Sequence, residues 1–434
     1  MLLLSIACDD ERPAPPKPPN VLAIIADDLG YTDLGFMGHP TLRTPNLDRL
    51  AAESARFTHA YVPTSVCRPS LATLLTGLYP HQHGITFNLA PSDAETAASQ
   101  ALIRRVPTLP AMLSRAGYTS FQAGKHWEGS FDDAGFTHGM TDGDPNALAD
   151  HPTLAAFQGG YGGEGLRIGR EGLDPIARFL DTDAREPFLI WFAPLLPHFP
   201  YDAPEQFRRD DDRPRHPRVA RYHATVEWFD AVVGDLLALL EERNVLEDTL
   251  VVFVSDNGQL GAERALHHDG ESTTFRVSRG KGSSFDKGVR TPLLLRWPGH
   301  TRPQILETPV STIDLVPTLL AAAGSSVLAE NLPGIDLLPA ATGRQPVPRR
   351  PVYGANFPYH ASVLGDPDAE LTERWIRDGD WKLIVPADPS RGVELYDLDR
   401  DPRELVNVAE DPRHAETRET LLEALDRWWR PRTS

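Results

Sequence analysis

The chain has 434 residues, 41% hydrophobic and 24% charged, which is enough material for one large domain and a smaller one. Its 43 basic against 61 acidic side chains give a formal net charge of -18, which repels a phosphate backbone, so nucleic acid is not expected as a partner. Two cysteines far apart, Cys8 and Cys67, exclude a disulfide scaffold and a cysteine-built zinc site. Only five basic residues are lysines (Lys17, Lys125, Lys281, Lys287 and Lys382), so every lysine is a position to account for.

Residues 1–8, MLLLSIAC, form a short apolar run closing on a small residue and a cysteine, followed by Asp9, Asp10 and a proline-rich linker up to residue 19. The run resembles the tail of a bacterial lipoprotein signal, which predicts export, a lipid anchor at Cys8 and a periplasmic or membrane-anchored location. No other segment reaches the ~18 apolar residues that a spanning helix needs.

Residues 20–26 are almost continuously apolar, as in a parallel strand buried on both faces, and end in Asp27-Asp28. Cys67 stands just ahead of a segment whose Ser70, Ala72 and Leu74 favour a helix start. Helix N-termini stabilise anions and lower thiol pKa, although a lone cysteine is also readily a buried, inert one. The stretch 140–175 is rich in Gly, Asp and Pro. Within it, Gly159-Gly160-Tyr161-Gly162-Gly163 has no strand before it, so it reads as a surface loop, not a nucleotide cradle.

The apolar pattern returns at 188–193, ahead of Pro197-His198, and at 250–254, ahead of Ser255-Asp256-Asn257-Gly258. Between them Val226, Phe229, Val233, Leu236, Leu237 and Leu240 follow helical spacing. Alternation of this kind predicts a doubly wound α/β sheet flanked by helices, with ligands gathered outside the carboxyl ends of its strands. Past the Pro- and Arg-rich stretch 346–351, short strands such as 381–385 and an amphipathic helix near 416–429 predict a small α+β domain. The expected division is therefore 1–19, 20–345 and 346–434.

Asp27, Asp28, Asp256 and Asn257 are four oxygen donors at the ends of two predicted strands. Such a set suits a hard divalent cation, Ca²⁺ or Mg²⁺, better than zinc. Taken alone, an Asp-Asp pair after a strand is more often a turn or a helix cap, and it is the two strand ends together that favour a metal site.

Seven blocks in one order carry a resemblance. They are Pro19-Asn-Val-Leu with Asp27-Asp-Leu-Gly-Tyr31; Cys67-Arg-Pro-Ser with Leu75-Thr-Gly-Leu-Tyr-Pro-His-Gln-His-Gly84; Gly117-Tyr118 with Gly124-Lys125; Pro197-His198; Ser255-Asp-Asn-Gly258; Lys281-Gly-Ser-Ser-Phe-Asp with Gly-Val-Arg-Thr-Pro292; and Glu394-Leu-Tyr-Asp-Leu with Asp401-Pro and Glu404-Leu-Val-Asn407. Together they resemble the type I sulfatases of the alkaline-phosphatase-like superfamily, from about Asn20 to the C-terminus.

The resemblance implies a mixed alkaline-phosphatase-like sheet and hydrolysis of sulfate esters, on a sulfated glycan or small molecule. Cys67 would be oxidised to formylglycine by a formylglycine-generating enzyme. Asp27, Asp28, Asp256 and Asn257, with the modified residue 67, would hold the cation. Lys125, His198 and Lys281 would act on the ester, His198 as general acid. His126 is expected as the base for sulfate release, and Arg68 and Arg290 as further substrate contacts. Lys382 is expected to be background charge, silent on replacement by alanine.

The chain departs from the family pattern at three places. Leu71 stands where the signature has an arginine that supports maturation and the aldehyde, with Arg68 as a substitute from the other side of Pro69. Trp127 stands where the family places its second histidine, with His126 one residue early. Lys287, in place of a common glycine, is either a substrate contact or an exposed charge. Two alternatives to a sulfatase stand beside it: a phosphodiester or phosphonate monoester hydrolase of the same superfamily, and a binding protein that has lost maturation.

Overall fold

The computed structural model describes residues 17–144, 146–157, 162–208, 217–258, 279–325 and 331–432. Cys8 with its apolar run, and Gly159 to Tyr161, lie outside the described residues.

The strands in chain order are β1 (Asn20–Ala26), β2 (Ala55–Tyr61), β3 (Thr119–Gly124), β4 (His138–Gly139), β5 (Phe188–Ala193), β6 (Thr249–Ser255), β7 (Arg290–Arg296), β8 (Gln304–Leu306), β9 (Val310–Ser311), β10 (Val352–Asn356), β11 (Glu373–Asp378), β12 (Trp381–Pro386) and β13 (Glu394–Asp397). The larger sheet runs β4-β3-β5-β1-β6-β7-β2-β8, with β9 pairing β2. All its neighbours are parallel except β6 with β7 and β7 with β2, so β7 alone is reversed and the sheet is mixed.

Strand residues alternate between faces, so a strand that is apolar throughout must be covered on both sides. In β1, Val21, Ala23 and Ile25 enter one core while Leu22, Ile24 and Ala26 enter the other. The helix Cys67–Thr76 contributes Leu71, Leu74 and Leu75 to the first core. The long helix Pro217–Glu242 contributes Val226, Phe229, Val233, Leu236, Leu237 and Leu240 to the second. The helical spacing of these six residues is thus the spacing of a buried stripe.

β10 to β13 form a separate antiparallel sheet. One face, with Ile376, Leu383 and Leu395, packs under the helix Ala415–Trp428 through Leu421 and Leu425. The other face, with Val352, Trp375, Ile384 and Tyr396, packs against Tyr61, Val62 and Val289 of the larger domain.

Two expectations change here. Lys382 shares its face of β12 with Ile384, so it is fully buried between the two sheets and is no background charge. The glycine-rich stretch is not all surface loop, because Leu166 and Ile168 are buried and a Cβ on Gly165 would stand 2.3 Å from the carbonyl oxygen of Gly124. Among the described residues, no helix is long and apolar enough to cross a membrane.

Candidate active site

β1 lies between β5 and β6, with Ala26 opposite Ser255 in the β6 register. Asp27 and Asp256 therefore leave the sheet side by side, fixed by Asp256 N–H to Ala26 O (2.9 Å) and Asp27 N–H to Leu196 O (3.0 Å). Asp28 adopts a left-handed backbone (φ 63°), uncommon for a residue with a Cβ, and its N–H donates to Asp256 Oδ1 at 3.1 Å. All four oxygen-bearing residues expected at the strand ends, Asp27, Asp28, Asp256 and Asn257, are buried together at the carboxyl edge of the sheet.

Cys67 is the first residue of its helix and points into the same cluster. Its Sγ lies 3.9 Å from Asp27 Oδ1 and 3.8 Å from Asp28 Oδ1. One ligand atom from each of Asp27, Asp28, Cys67 and Asp256 fits within 4.8 Å of the others. Among the described residues, three buried acceptors, Asp28 Oδ2, Asp256 Oδ2 and Asn257 Oδ1, have no hydrogen-bond partner. Orphaned oxygens of this kind are costly in a protein interior, and a hard cation would satisfy them. The donor set therefore fits a divalent metal.

Two lysines enter the cluster from different segments of the chain. Gly124, with φ 109°, closes β3 so tightly on β5 that a Cβ there would stand 2.1 Å from Ala193 O, and this turn directs Lys125 inward. Lys125 Nζ donates to both oxygens of Asp27 at 2.7 Å and lies 3.8 Å from Asp256 Oδ2. Lys281 Nζ pairs with Asp28 and donates to Cys67 Sγ at 2.8 Å. Burial disfavours both ammonium charges, but Asp27 beside Lys125 and Asp28 beside Lys281 outweigh it and hold both pKa values above the usual lysine range. Asp28 responds in kind: burial opposes its charge, yet Lys281, His198 and Lys125 hold its carboxyl below the ordinary range. Burial, with the neighbouring charge of Asp27, drives Asp256 well above it. Burial also pushes the pKa of the Cys67 thiol up, in spite of the two lysines.

His198 is half-buried beyond β5, with Nε2 3.5 Å from Asp28 Oδ2. Its Nδ1 lies 2.5 Å from Phe199 O; a carbonyl only accepts, so Nδ1 carries a proton and Nε2 faces the site. Burial lowers its pKa, against the opposing pull of Asp27 and Asp28. The loop bearing His198 is fastened by Arg170, which donates to Leu195 O (3.0 Å) and Pro200 O (3.2 Å) and pairs with Asp202.

Three other residues expected in the site face elsewhere. Arg68 is 2% exposed and its guanidinium is bidentate to Glu128 (both 2.8 Å), with further bonds to Ser99 Oγ (3.1 Å) and Ser99 O (2.8 Å). Its charge is neutralised away from the cluster, which leaves nothing for a sulfate. Arg290 donates to Thr58 O (2.9 and 2.6 Å), lies 3.5 Å from Asp286 and covers the Tyr31 ring. His126 is buried with Nε2 donating to Ser130 O at 3.0 Å, the reorientation that a one-residue shift produces. Leu71 and Trp127, at two of the departures from the family pattern, are buried in one apolar cluster. The Lys287 side chain is exposed.

Sequence reasoning missed the scaffold behind Lys281. Ser65, two residues before Cys67, accepts from Gly282 N–H at 2.8 Å and donates to Gly288 O at 2.7 Å. Asn356 accepts from Ser65 N–H (2.8 Å) and Glu373 from Ser284 N–H (2.9 Å). Polar residues ahead of the signature cysteine were the available signal.

Residues 19–325 match the sulfatase family model, and residues 280–430 match that of the N-sulphoglucosamine sulphohydrolase C-terminal region. The chain is 33% identical to Bos taurus arylsulfatase A, over 90% of this chain and 83% of that protein. It is 31% identical to Homo sapiens N-acetylgalactosamine-6-sulfatase, over 88% and 78%. The solved structure of Ps i-CgsB is similar with a TM-score of 0.74 at 25% identity, covering 96% of this chain and 94% of that one. The phosphonate monoester hydrolase of Agrobacterium radiobacter shares the fold, with a TM-score of 0.70 at 23% identity over 94% and 95%.

A mixed α/β sheet with a buried acidic cluster at its carboxyl edge and a cysteine at a helix start thus defines a member of the alkaline-phosphatase-like hydrolases. The chain belongs to the sulfatase family, whose members are sulfuric ester hydrolases.

Proposed function

We propose that this chain hydrolyses sulfate esters of a carbohydrate through a formylglycine derived from Cys67, in an exported protein. The observation that carries the reading is the position of Cys67 Sγ, 2.8 Å from Lys281 Nζ and within 4 Å of two carboxylates beside three unsatisfied oxygens. The sugar substrate is supported by likeness to a relative named for N-acetylgalactosamine 6-sulfate.

Asp27, Asp28, Asp256 and Asn257 would hold the cation, Ca²⁺ or Mg²⁺. When bound, the metal supplies positive charge against the sulfate oxygens, and formylglycine supplies a hydrated aldehyde as nucleophile. Lys125 and Lys281 face the sulfate, where fixed ammonium groups offset the charge that builds as the ester bond breaks. His198, with Nε2 toward the site, gives a proton to the departing alcohol oxygen once it carries its second proton. Arg68, Arg290 and His126 take no part in the reaction; Arg68 and Glu128 instead brace the segment that starts the Cys67 helix.

Export, a lipid anchor at Cys8 and processing by a formylglycine-generating enzyme belong to the same reading, supported by the residues before Cys8 and around Cys67. The catalytic unit is taken to end at residue 345, ahead of the Pro- and Arg-rich stretch.

A second reading, a protein that binds sulfated ligands without turnover, is favoured by Leu71 and Trp127, which put apolar surface where the family pattern has cationic groups. One experiment separates them: the mass of the peptide containing residue 67, with parallel rates on aryl sulfate, aryl phosphate and aryl phosphonate esters. An aldehyde at residue 67 with fastest turnover of the sulfate is expected. An unconverted thiol in protein from a maturation-competent host, with binding but no turnover, overturns the catalytic reading.

A further inference from the structure

Lys281 sits on a segment that the C-terminal sheet grips from behind. Lys382, on β12, is fully buried; its Nζ donates to Asp286 Oδ1 and is ion-paired with Glu404 Oε1, both at 2.9 Å. Asp286 lies five residues after Lys281, and its N–H donates to Glu404 Oε2 at 2.7 Å. Tyr61 OH donates to Asp286 Oδ2 at 3.1 Å, and Arg377 lies 4.0 Å from the same oxygen. On the other side of Lys281, Arg279 donates to the backbone carbonyl of Glu404 and packs on the Phe285 ring. Glu404 itself has a left-handed backbone (φ 55°), a conformation that its surroundings must enforce in a residue with a Cβ.

We infer that Lys382 and Glu404 of the C-terminal sheet domain are positioning residues for the reaction, which hold the 279–286 segment so that Lys281 meets the nucleophile at residue 67. The inference rests on the role proposed above for Lys281. A buried pair of carboxylates around one ammonium has few arrangements that satisfy every group, so it fixes the geometry of the chain that carries them. Lys382 lies over Tyr61 (5.9 Å) and Trp375 (5.4 Å), which leaves it no water to turn to if Asp286 moves. Burial and the neighbouring Asp286 raise the Glu404 pKa, against Lys382, so the network depends on the lysine for its charge balance. The catalytic lysine is thus aimed by residues more than a hundred positions later in the chain.

The test measures kcat and KM on 4-nitrophenyl sulfate with matured protein, at a temperature where each variant is folded by circular dichroism. Glu404→Gln and Lys382→Met are compared with Asp426→Asn. The last of these loosens the Arg374–Asp426 pair (3.0 Å) in the same domain without touching the 279–286 segment. Glu404→Gln and Lys382→Met are expected to lower kcat about tenfold or more with KM changed less than about twofold, while Asp426→Asn costs stability alone. Because the clamp acts through Lys281, Glu404→Gln combined with Lys281→Ala should be no slower than Lys281→Ala alone.

Losses no larger than that of Asp426→Asn, or losses that multiply in the double variant, overturn the inference. Full activity of Lys281→Ala overturns the role of Lys281 itself, and the clamp with it. Should Lys382→Met fail to fold, Glu404→Gln keeps the side-chain shape and decides the matter.

Discussion

Asn257 donates its amide nitrogen to Asp28 Oδ1 at 2.7 Å, which leaves its amide oxygen buried among acidic neighbours and without a hydrogen-bond partner among the described residues. An amide held in this way presents an acceptor to whatever positive group enters the cluster. For wild-type protein we expect Ca²⁺ or Mg²⁺ to raise the melting midpoint and a chelator to remove both that gain and the activity. The stabilisation is about 2.7 kcal/mol at a hundredfold excess over Kd.

Asp256→Asn should abolish turnover and erase the response to metal while leaving the metal-free midpoint unchanged or higher, because the neutral amide ends the repulsion from Asp27. Calorimetry with and without metal checks both signs. A wild-type midpoint indifferent to divalent ions, with full activity after demetallation, sinks the assignment.

Lys281→Ala should reduce kcat/KM at least about a hundredfold, as expected when a charge contact made in the transition state is removed. Asp28 still accepts from Asn257 at 2.7 Å and faces His198 at 3.5 Å after the change, so it is not left without partners and the fold should survive. Retained turnover with an intact circular dichroism spectrum would falsify the role given to this ammonium.

The nucleophile offers a test that depends on the expression host. Burial pushes the pKa of the Cys67 thiol up, which disfavours the thiolate that an unmodified residue would need for attack. Protein from a host with formylglycine-generating machinery should carry an aldehyde at residue 67, seen by mass and by hydrazide labelling, and activity should follow the converted fraction. Cys67→Ser should stall after at most one turnover, since a serine sulfate has no second hydroxyl with which to expel the anion. Multiple turnovers from wholly unconverted protein would move the chemistry to the thiol.

Restoring the family arginine at position 71 should not help. Leu71 is buried in the apolar cluster that contains Trp127, so Leu71→Arg places an unpaired charge among hydrocarbon groups. Arg68→Ala strands Glu128 without its partner, at a cost of about 3–5 kcal/mol, whereas replacing both members by apolar residues should cost much less. Urea denaturation of the two singles and the double replacement measures this. Equal losses in Arg68→Ala and the double replacement would show that the pair is not a closed unit.

Asp33 gives a pH signature away from the reaction. Burial raises its carboxyl to about 6, against the hydroxyl of Tyr222, which donates to it at 2.8 Å. The folded state therefore prefers the protonated acid, and its contribution is complete below the ordinary value of 3.8 and lost as pH rises through about 6. Asp33→Asn mimics the neutral acid, so its stability relative to wild type should be unchanged at pH 4 and higher by about 2 kcal/mol at pH 8. Urea midpoints at the two pH values check the direction. A variant that is less stable at pH 8 would show that the charged form is the favoured one.

The strands and the buried acidic cluster could be read from the chain because each apolar run ends on a polar residue at the edge of the sheet, so one pattern gives both the element and its polar tip. β1 with Asp27 and Asp28, and β6 with Asp256 and Asn257, are of this kind. Lys382 was misjudged although period two along β12 puts it on the face of Ile384, which is buried against the larger domain. Arg68 and Arg290 were expected as substrate contacts, and what the sequence did not display is their long-range partners: Glu128, 60 positions from Arg68, and the Thr58 carbonyl, 232 positions from Arg290, which only folding brings to them. A guanidinium in a motif reveals its charge but not what has already claimed it.

Arg170 ties Leu195, Pro200 and Asp202 to one side chain from a different segment. The loop that carries His198 is therefore measured off at both ends like a cut length of wire, and its residue count is set by the reach of a single guanidinium. An inserted or deleted residue between 195 and 202 would break the match at one end, even if the histidine itself were kept. Substrate range in this protein should change through loops that Arg170 does not span, leaving the histidine loop constant in length.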